Sequence, residues 1–179
     1  MRLERPEERF EEIYEIYRKS FPNDERRTYE RQREMIQEGR CCFRIIEEEG
    51  KVQAFLEYWN LDSCLFVEYL ATAPEQRNKG YGRHLMKECL EEARACGKPV
   101  FLEVEPVTEK DPMTERRAGF YRRQGFCLNH FSYRQPPLKE GDGWKELLIM
   151  SYGVQIEEKE FRKYKEEIYS KVYQMEMIP

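Results

Sequence analysis

A cluster of cationic residues and glycines stands out in the segment ATAPEQRNKGYGRHLM, directly ahead of a run with helical periodicity. A turn that leads from a strand into a helix presents unpaired backbone N–H groups at the positive end of the helix dipole. Gly80 and Gly82 let the backbone approach an anion, and Arg77, Lys79 and Arg83 add positive charge. The segment predicts a phosphate-binding site. A solvated turn ahead of a surface helix is the alternative.

Spacing excludes two common phosphate-binding motifs at this place. A Walker A loop needs a glycine, four residues and then Gly-Lys-Ser/Thr, which the segment lacks. A dinucleotide fingerprint needs a third glycine near position 85, where the chain has Leu85. The anion is therefore bound by a motif of another kind.

Apolar periodicity predicts the elements that position this segment. Two helices come first, over residues 6–20 and from a cap at Asp24 to about residue 38. A hairpin over 41–60 turns at Gly50, and a third strand covers 64–72. The later elements are a helix over 80–96, a strand over 98–106, a short helix over 114–125, strands over 126–133 and 146–152, and a helix over 156–175. The order ααβββαβαββα predicts a mixed α/β layer fold.

Composition narrows the class of protein. The 179 residues include 31 basic and 35 acidic side chains, a net charge of −4, so a nucleic-acid partner is not expected. The N-terminal MRLERPEERFEE lacks a signal-peptide core, and no run approaches the roughly 20 apolar residues of a membrane span, which predicts a cytoplasmic protein. His84 and His130 have no second ligand at metal spacing, so no metal is expected.

Two motifs together resemble a known family. The pattern Arg77-x-x-Gly80-x-Gly82 after the strand VEYLATAPEQ is similar to the acetyl-CoA-binding motif of the GNAT superfamily of N-acetyltransferases. The segment RAGFYRRQGF, residues 117–126, resembles the A-x-x-F-Y-x-x-x-G-F segment near the end of the family's core. Both motifs occur in the family's order on the predicted elements.

The resemblance implies a fold and a co-substrate. The fold is a splayed, mainly antiparallel sheet flanked by helices. The co-substrate is acetyl-CoA, whose pyrophosphate the backbone amides of about residues 77–82 hold, while residues 70–72 pair with the pantetheine arm. The implied cofactor-binding residues are Leu70, Ala71, Thr72, Arg77, Asn78, Lys79, Gly80, Tyr81, Gly82, Arg83 and Phe120.

Three carboxylates are candidates for the base that acyl transfer requires, because an amine with a pKa of ~10.4 must lose a proton before it attacks. Glu103 and Glu105 share one face of a strand, and Glu68 lies on the preceding predicted strand. In the family either strand supplies the base, and we rank Glu103 before Glu68 and Glu68 before Glu105. The alternative is that one or two of these glutamates pair with arginines on the short helix, at positions 116, 117 and 122.

Tyr121 is the tyrosine that the family places at the thioester sulfur, where it returns a proton to the thiolate. The pKa of a phenol, ~10, lies above the ~8.5 of a thiol, so proton transfer from tyrosine to the thiolate is uphill in water. A hydrogen bond from the tyrosine to the thiolate is then the simpler way to stabilise the leaving group. A packed aromatic residue beside Phe120 is the alternative. The resemblance also implies where the acceptor pocket lies. The residues expected to line it are Tyr133, Gln135, Trp144, Tyr29 and Tyr58.

The tail departs from the family's layout. We expect residues 1–152 to form the GNAT domain and residues 153–179 to form a helical extension that packs on the same domain or on a partner, with a homodimer as a hypothesis. The expected activity is transfer of an acetyl group from acetyl-CoA to a primary amine of a small molecule or peptide, by direct attack in a ternary complex. The alternatives are a non-catalytic acyl-CoA-binding module and an interaction protein that uses the basic surface at 116–123.

Overall fold

The computed structural model describes residues 2–3 and 5–175, with side chains from residue 5 onward. They form two compact units. Unit 1 comprises the described residues up to Asn60 together with Val67–Glu92, and unit 2 comprises Leu61–Phe66 together with the residues from Ala93 onward. The predicted extension reaches beyond the described residues at 176–179.

Unit 1 contains the strands β1 (Arg2–Leu3), β2 (Cys42–Glu48) and β3 (Lys51–Asn60), and the part of β4 (Leu65–Thr72) from Val67 onward, beside β3. The pairs β1–β2 and β2–β3 are antiparallel. The two-residue turn between β2 and β3 has φ of 52° at Glu49 and 75° at Gly50. Positive φ at both positions is the geometry that matches the twist of a tight hairpin, so the predicted turn at Gly50 is confirmed.

The helices of unit 1 are α1 (Phe10–Ser20), α2 (Tyr29–Gln37) and most of α3 (Tyr81–Cys96). The predicted start of α2 at Asp24 is wrong: Asp24 lies in a short 3-10 turn, and the side chain of Thr28 accepts from the backbone N–H of Arg31 as the cap. A threonine three residues before a free N–H satisfies one of the first donors of a helix.

Unit 2 contains β5 (Val100–Val104), β6 (Phe126–Leu128), β7 (Tyr133–Gln135) and β8 (Lys145–Tyr152). β8 pairs antiparallel with all three of the other strands. The chain is therefore a mixed α/β protein with mainly antiparallel pairing, and the predicted class is confirmed.

The single strand predicted over 126–133 is instead divided into β6 and β7. Asn129 is the last residue in register with β8: its backbone N–H donates to the carbonyl of Ile149 at 3.0 Å, and its side-chain amide donates to the same carbonyl at 3.1 Å. The same amide reaches the Ser151 hydroxyl at 3.0 Å. A buried asparagine that bonds backbone in this way competes with the strand ladder and ends it.

The helices of unit 2 are α4 (Pro112–Arg123) and α5 (Glu158–Glu167), and α5 continues into a π-helical turn at Ile168–Val172. The apolar residues of this C-terminal segment are buried within unit 2, where the Phe161 ring lies 5.2 Å from the ring of Phe101. Dimerisation through the segment stays a prediction.

Candidate active site

The segment that carries the Arg77-x-x-Gly80-x-Gly82 motif, residues 77–83, leads into α3 and is called the motif loop. Its backbone is left-handed at two positions. Asn78 has φ of 67° and Gly80 has φ of 85°. A Cβ added at Gly80 would meet no atom within 4 Å, so the backbone conformation rather than packing favours glycine. The Gly80 carbonyl accepts from the backbone N–H of His84 at 3.0 Å, which fixes the loop to the start of the helix.

The charged residues of this loop face solvent. Arg77, Lys79 and Arg83 are exposed, whereas the hydroxyl of Tyr81 donates to Glu48. The loop therefore presents cations and a helix N-terminus on one exposed stretch of unit 1. This arrangement attracts an anion.

The side chains at the end of β4 alternate between two faces of the sheet. Glu68, Leu70 and Thr72 share one face, while Tyr69 and Ala71 are buried on the other. The strand that the resemblance assigns to pantetheine thus has half-buried side chains at residues 70 and 72.

Glu68 is bound in a buried ion pair. Its Oε1 lies 2.5 Å from Arg27, and the side chains of Glu68 and Arg27 are 3% and 4% exposed. The indole N–H of Trp59 donates to the second carboxylate oxygen of Glu68 at 2.6 Å. Arg27 is not one of the arginines that the sequence proposed as partners.

Glu57, on β3, is a second buried carboxylate of unit 1 that the sequence analysis missed. Gln32 donates to it at 2.6 Å. Burial, followed by the charge of Glu68, raises the pKa of Glu57 to about 8, although Arg27 acts in the opposite direction. Burial therefore favours the protonated form of Glu57. Its position inside the apolar run of β3 was the sequence signal for a buried acid.

Glu103, on β5 in unit 2, is bound by three side-chain donors. Tyr133 donates to Oε1, Gln135 donates to Oε2 at 2.7 Å, and the Tyr173 hydroxyl lies 2.9 and 2.8 Å from the two oxygens. Two of these donors, Tyr133 and Gln135, are among the predicted pocket residues. Tyr173 comes from the C-terminal segment and was not predicted.

Glu105 has a different environment, although it follows Glu103 by two residues. It pairs with Arg117 and lies 4.0 Å from the ammonium group of Lys145. The Arg117 side chain is 47% exposed, so this is a surface ion pair of the kind that the sequence analysis offered as the alternative to catalysis.

Tyr121, on α4, packs against two aromatic rings. Its ring centroid lies 5.2 Å from that of Phe120 and 5.9 Å from that of Phe126. Burial raises the pKa of Tyr121 to about 12, although Arg117 lowers it. No described side chain hydrogen-bonds to its hydroxyl. The phenol is therefore protonated at neutral pH.

The other aromatic residues assigned to the acceptor pocket have structural partners. Tyr29 bonds Glu11 at 2.5 Å, and Tyr58, which is fully buried, donates to Glu92 at 2.6 Å. Trp144 is 37% exposed, and the guanidinium of Arg134 lies 5.4 Å from its ring centroid.

Three further features were sought among the described residues: a cavity, a metal-binding cluster and a membrane-spanning helix. A surface cavity of about 160 Å³, lined by Glu7, Glu8, Glu11 and other residues of the N-terminal region, contains none of the predicted site residues. Within residues 2–3 and 5–175, no group of three His, Cys, Asp or Glu is arranged to hold a metal ion. In that same part of the chain, no helix is long and apolar enough to cross a membrane.

Comparison with known proteins identifies the family of this chain. Residues 10–126 match the model of the Acetyltransferase (GNAT) family. The chain is also 31% identical over 147 residues to YjbC of Bacillus subtilis (strain 168), a match that covers 81% of this chain and 73% of that protein. The chain belongs to the GNAT acetyltransferase family.

Solved structures show the same fold. A GNAT-family protein from Bacteroides thetaiotaomicron superimposes with a TM-score of 0.81 at 32% identity over 94% of each chain. The structure of yncA from Salmonella typhimurium, which contains acetyl-CoA, has a TM-score of 0.61 at 19% identity and covers 88% of this chain and 94% of that one. At that identity the second likeness shows the fold alone.

Proposed function

We propose that this protein transfers the acetyl group of acetyl-CoA to a primary amine of a small molecule or peptide, by direct attack within a ternary complex. The observation that carries the proposal is the motif loop of residues 77–83 in a GNAT-family chain. Its left-handed backbone at Asn78 and Gly80 and its exposed cations fit a pyrophosphate. The acetyl-CoA found with yncA supports the same co-substrate.

In this proposal the loop and the end of β4 hold the co-substrate. Backbone N–H groups of residues 77–82 bind the pyrophosphate, and Arg77, Lys79 and Arg83 add charge. The open space at Gly80 leaves room for the anion to approach. Residues 70–72 bond the pantetheine arm through the backbone, and Phe120 contributes an apolar contact.

Glu103 is the leading candidate for the base. A proton leaves the acceptor's ammonium group for the Glu103 carboxylate, directly or through water, and the amine lone pair then attacks the thioester carbon. The new C–N bond forms as the C–S bond breaks. The CoA sulfur leaves as a thiolate with the electron pair.

Tyr121 serves the departing thiolate. With its pKa raised to about 12, a complete proton transfer to a thiolate of pKa ~8.5 would cost about 5 kcal/mol. We therefore assign Tyr121 a hydrogen bond to the leaving sulfur, without transfer of the phenol proton. The availability of its hydroxyl supports this role.

Glu68 has a different part in this proposal. Because Arg27 and Trp59 occupy both carboxylate oxygens, it acts through its charge and through the position of β4 rather than as a base. The ranking of Glu103 above Glu68 is thereby strengthened, and Glu105 remains third because of its pair with Arg117.

A second candidate is an acyl-CoA-binding module without turnover. One observation favours it: the Glu103 oxygens already accept from Tyr133, Gln135 and Tyr173. A carboxylate that accepts several hydrogen bonds is a weaker base than a free one.

The binding part of the proposal is tested by the affinity of the protein for acetyl-CoA. Arg77→Ala combined with Lys79→Ala should weaken binding about tenfold or more, equivalent to about 1.4 kcal/mol, measured by titration calorimetry. Lys87→Ala on α3, the helix that follows the loop, is the control, since the Lys87 side chain is 74% exposed and lies outside the loop. Equal affinities of the two variants would refute the assigned pyrophosphate site.

The catalytic part is tested by release of free CoA with a panel of polyamines, amino acids, aminoglycosides and peptides. Glu103→Gln should lower kcat by about 10²-fold or more with unchanged affinity for acetyl-CoA. Tyr121→Phe should also lower kcat. Tight binding of acetyl-CoA without turnover on any acceptor would favour the module. Full activity of Tyr121→Phe at every pH would remove the assigned role of Tyr121.

A further inference from the structure

The C-terminal segment, residues 157–175, is anchored firmly in unit 2. The Phe161 ring stacks on that of Phe131 at 5.2 Å, and Ile168 and Val172 are 0% and 2% exposed. A capping box between Glu157 and Glu160 begins its helix. Burial of these apolar side chains stabilises the packing of the segment in unit 2.

A second attachment holds the middle of the segment. Glu167 accepts from the backbone N–H groups of Asp62 and Ser63, at 2.7 and 3.0 Å, and from the Ser63 hydroxyl. Lys171 pairs with Asp62 at 2.6 Å. The turn at Asp62–Ser63 thus fixes the segment at the residue before the π-helical turn and at a residue within it.

The π-helical turn determines where Tyr173 lies. The backbone N–H of Tyr173 donates to the carbonyl of Ile168 at 3.3 Å, a spacing of five residues. This wider turn shifts every following side chain relative to a continuous α-helix, and such turns are frequent at functional sites. Tyr173 therefore lies where a continuous α-helix would not have placed it.

At the end of this turn, the Tyr173 hydroxyl bridges both oxygens of Glu103, at 2.9 and 2.8 Å. The Gln135 amide donates both to Glu103 and to the oxygen of Tyr173, at 2.7 and 3.1 Å. The three side chains form a closed set of hydrogen bonds around one carboxylate. A bridging donor restricts rotation of the carboxylate plane more than a donor to a single oxygen does.

We propose that Tyr173 is a positioning residue for the reaction, and that the C-terminal segment completes the active site by fixing the orientation of the Glu103 carboxylate. This inference rests on the proposed function, in which Glu103 receives the acceptor's proton. It gives the segment a role that the common family motifs at residues 77–82 and 117–126 do not contain.

Two other phenols lie nearby, and neither bridges the two oxygens of Glu103: Tyr133 donates to Oε1 alone. Burial, then the charge of Glu103, raises the pKa of Tyr133 well above its ordinary value, and burial does the same for Tyr169. Both phenols therefore stay protonated over the working pH range. The Tyr169 hydroxyl donates to the backbone carbonyl of Arg134 and not to Glu103. Tyr169→Phe is consequently a matched control from the same segment.

The first experiment compares steady-state kinetics of Tyr173→Phe and Tyr169→Phe. Loss of one hydrogen bond to a charged group predicts a roughly tenfold lower kcat for Tyr173→Phe, with the KM for acetyl-CoA unchanged. Its acidic pH limb should move to higher pH, because a donor that stabilises the ionised carboxylate is gone. Tyr169→Phe should keep the wild-type kcat and profile. Equal losses in the two variants, or no loss in either, would overturn the inference.

A double-mutant cycle separates positioning from folding. In the Glu103→Gln background, Tyr173→Phe should change kcat by less than about twofold, because the group through which it acts is no longer a base. An undiminished tenfold loss in that background would show that Tyr173 acts elsewhere and would contradict the proposal.

A measurement that does not require catalytic activity distinguishes failure of this inference from failure of the proposed function. A ¹³C NMR titration of the Glu103 carboxyl, assigned with Glu103→Gln, should give a higher pKa in Tyr173→Phe than in the wild type and no change in Tyr169→Phe. If the wild type turns over no acceptor, the proposed function fails while the titration still decides whether Tyr173 controls Glu103. An unchanged Glu103 titration in Tyr173→Phe overturns the control itself.

Discussion

Glu68 on β4 and Glu103 on β5, two candidates for the base, have opposite environments in the two units. In unit 1, Glu68 is paired with the buried guanidinium of Arg27 and lies in a cluster with Glu57. In unit 2, Glu103 accepts from the neutral donors Tyr133, Gln135 and Tyr173. The first carboxylate is held by a full charge, the second by dipoles.

The difference indicates which carboxylate is able to take up a proton. Protonation of Glu68 would leave the Arg27 charge buried without its counterion, which costs several kcal/mol. Protonation of Glu103 loses only hydrogen bonds from neutral groups, each worth about 1–3 kcal/mol to a charge. A base must accept a proton in every cycle, so the cluster of unit 1 is suited to a structural role, and the network around Glu103 supports the role proposed for it.

Arg27→Met should produce the largest change in stability. Removal of one partner from a buried ion pair leaves the other charge uncompensated, at a cost of about 3–5 kcal/mol. Urea unfolding at pH 7 measures this loss. The neighbouring Arg26→Met, which removes only a bond to the carbonyl of Pro22, should cost about 1 kcal/mol or less. Similar losses in the two variants would remove the contrast drawn between the units.

Glu57→Gln should change how stability depends on pH. The pKa of Glu57 is raised from 4.5 to about 8, so the folded state binds the extra proton between those values. Stability therefore falls as the pH rises from about 4.5 to about 8, by on the order of 2–4 kcal/mol, and is level above. The variant should lack this fall. The measurement is the urea midpoint of the wild type and of Glu57→Gln at pH 5 and at pH 8.5. An equal fall in stability in both proteins would contradict the raised pKa of Glu57.

Glu167→Gln should give the opposite pH dependence in unit 2. Burial raises the pKa of Glu167, but hydrogen bonds from Ser63, Asp62 and Lys171 outweigh it and lower the pKa to about 2. The stability it adds is complete above about 4.5 and is lost as the pH falls towards 2. We expect a loss of about 1–2 kcal/mol at pH 7. Glu166→Gln, at the exposed neighbouring position, is the control and should change little.

Arg117→Ala should have the smallest effect. Its pair with Glu105 is partly exposed, and such pairs contribute about 0–1 kcal/mol. Thermal unfolding at low and high salt is the measurement. A loss that approaches that of Arg27→Met would mean that exposure does not distinguish the ion pairs of this protein.

Much of the fold followed from local patterns. The turn at Gly50 and the helix that begins after Gly80 were predicted, because turn residues and periodicity act over a few neighbouring positions. The division of the strand at Asn129 was not predicted, since its cause is a bond to Ile149 on another strand. Likewise, the helix cap at Thr28 replaced Asp24 because both residues have a suitable side chain and only the chain path chooses between them.

The candidate site divides in the same way. The sequence by itself determined the family, the motif loop at residues 77–83 and the three candidate glutamates, since these depend on residue types at fixed spacing. Only the tertiary structure decided what each glutamate bonds: Arg27 for Glu68, Arg117 for Glu105, and Tyr173, 70 residues further along the chain, for Glu103. The basicity of a carboxylate depends on its charged and hydrogen-bonded neighbours, and packing of distant segments sets those neighbours.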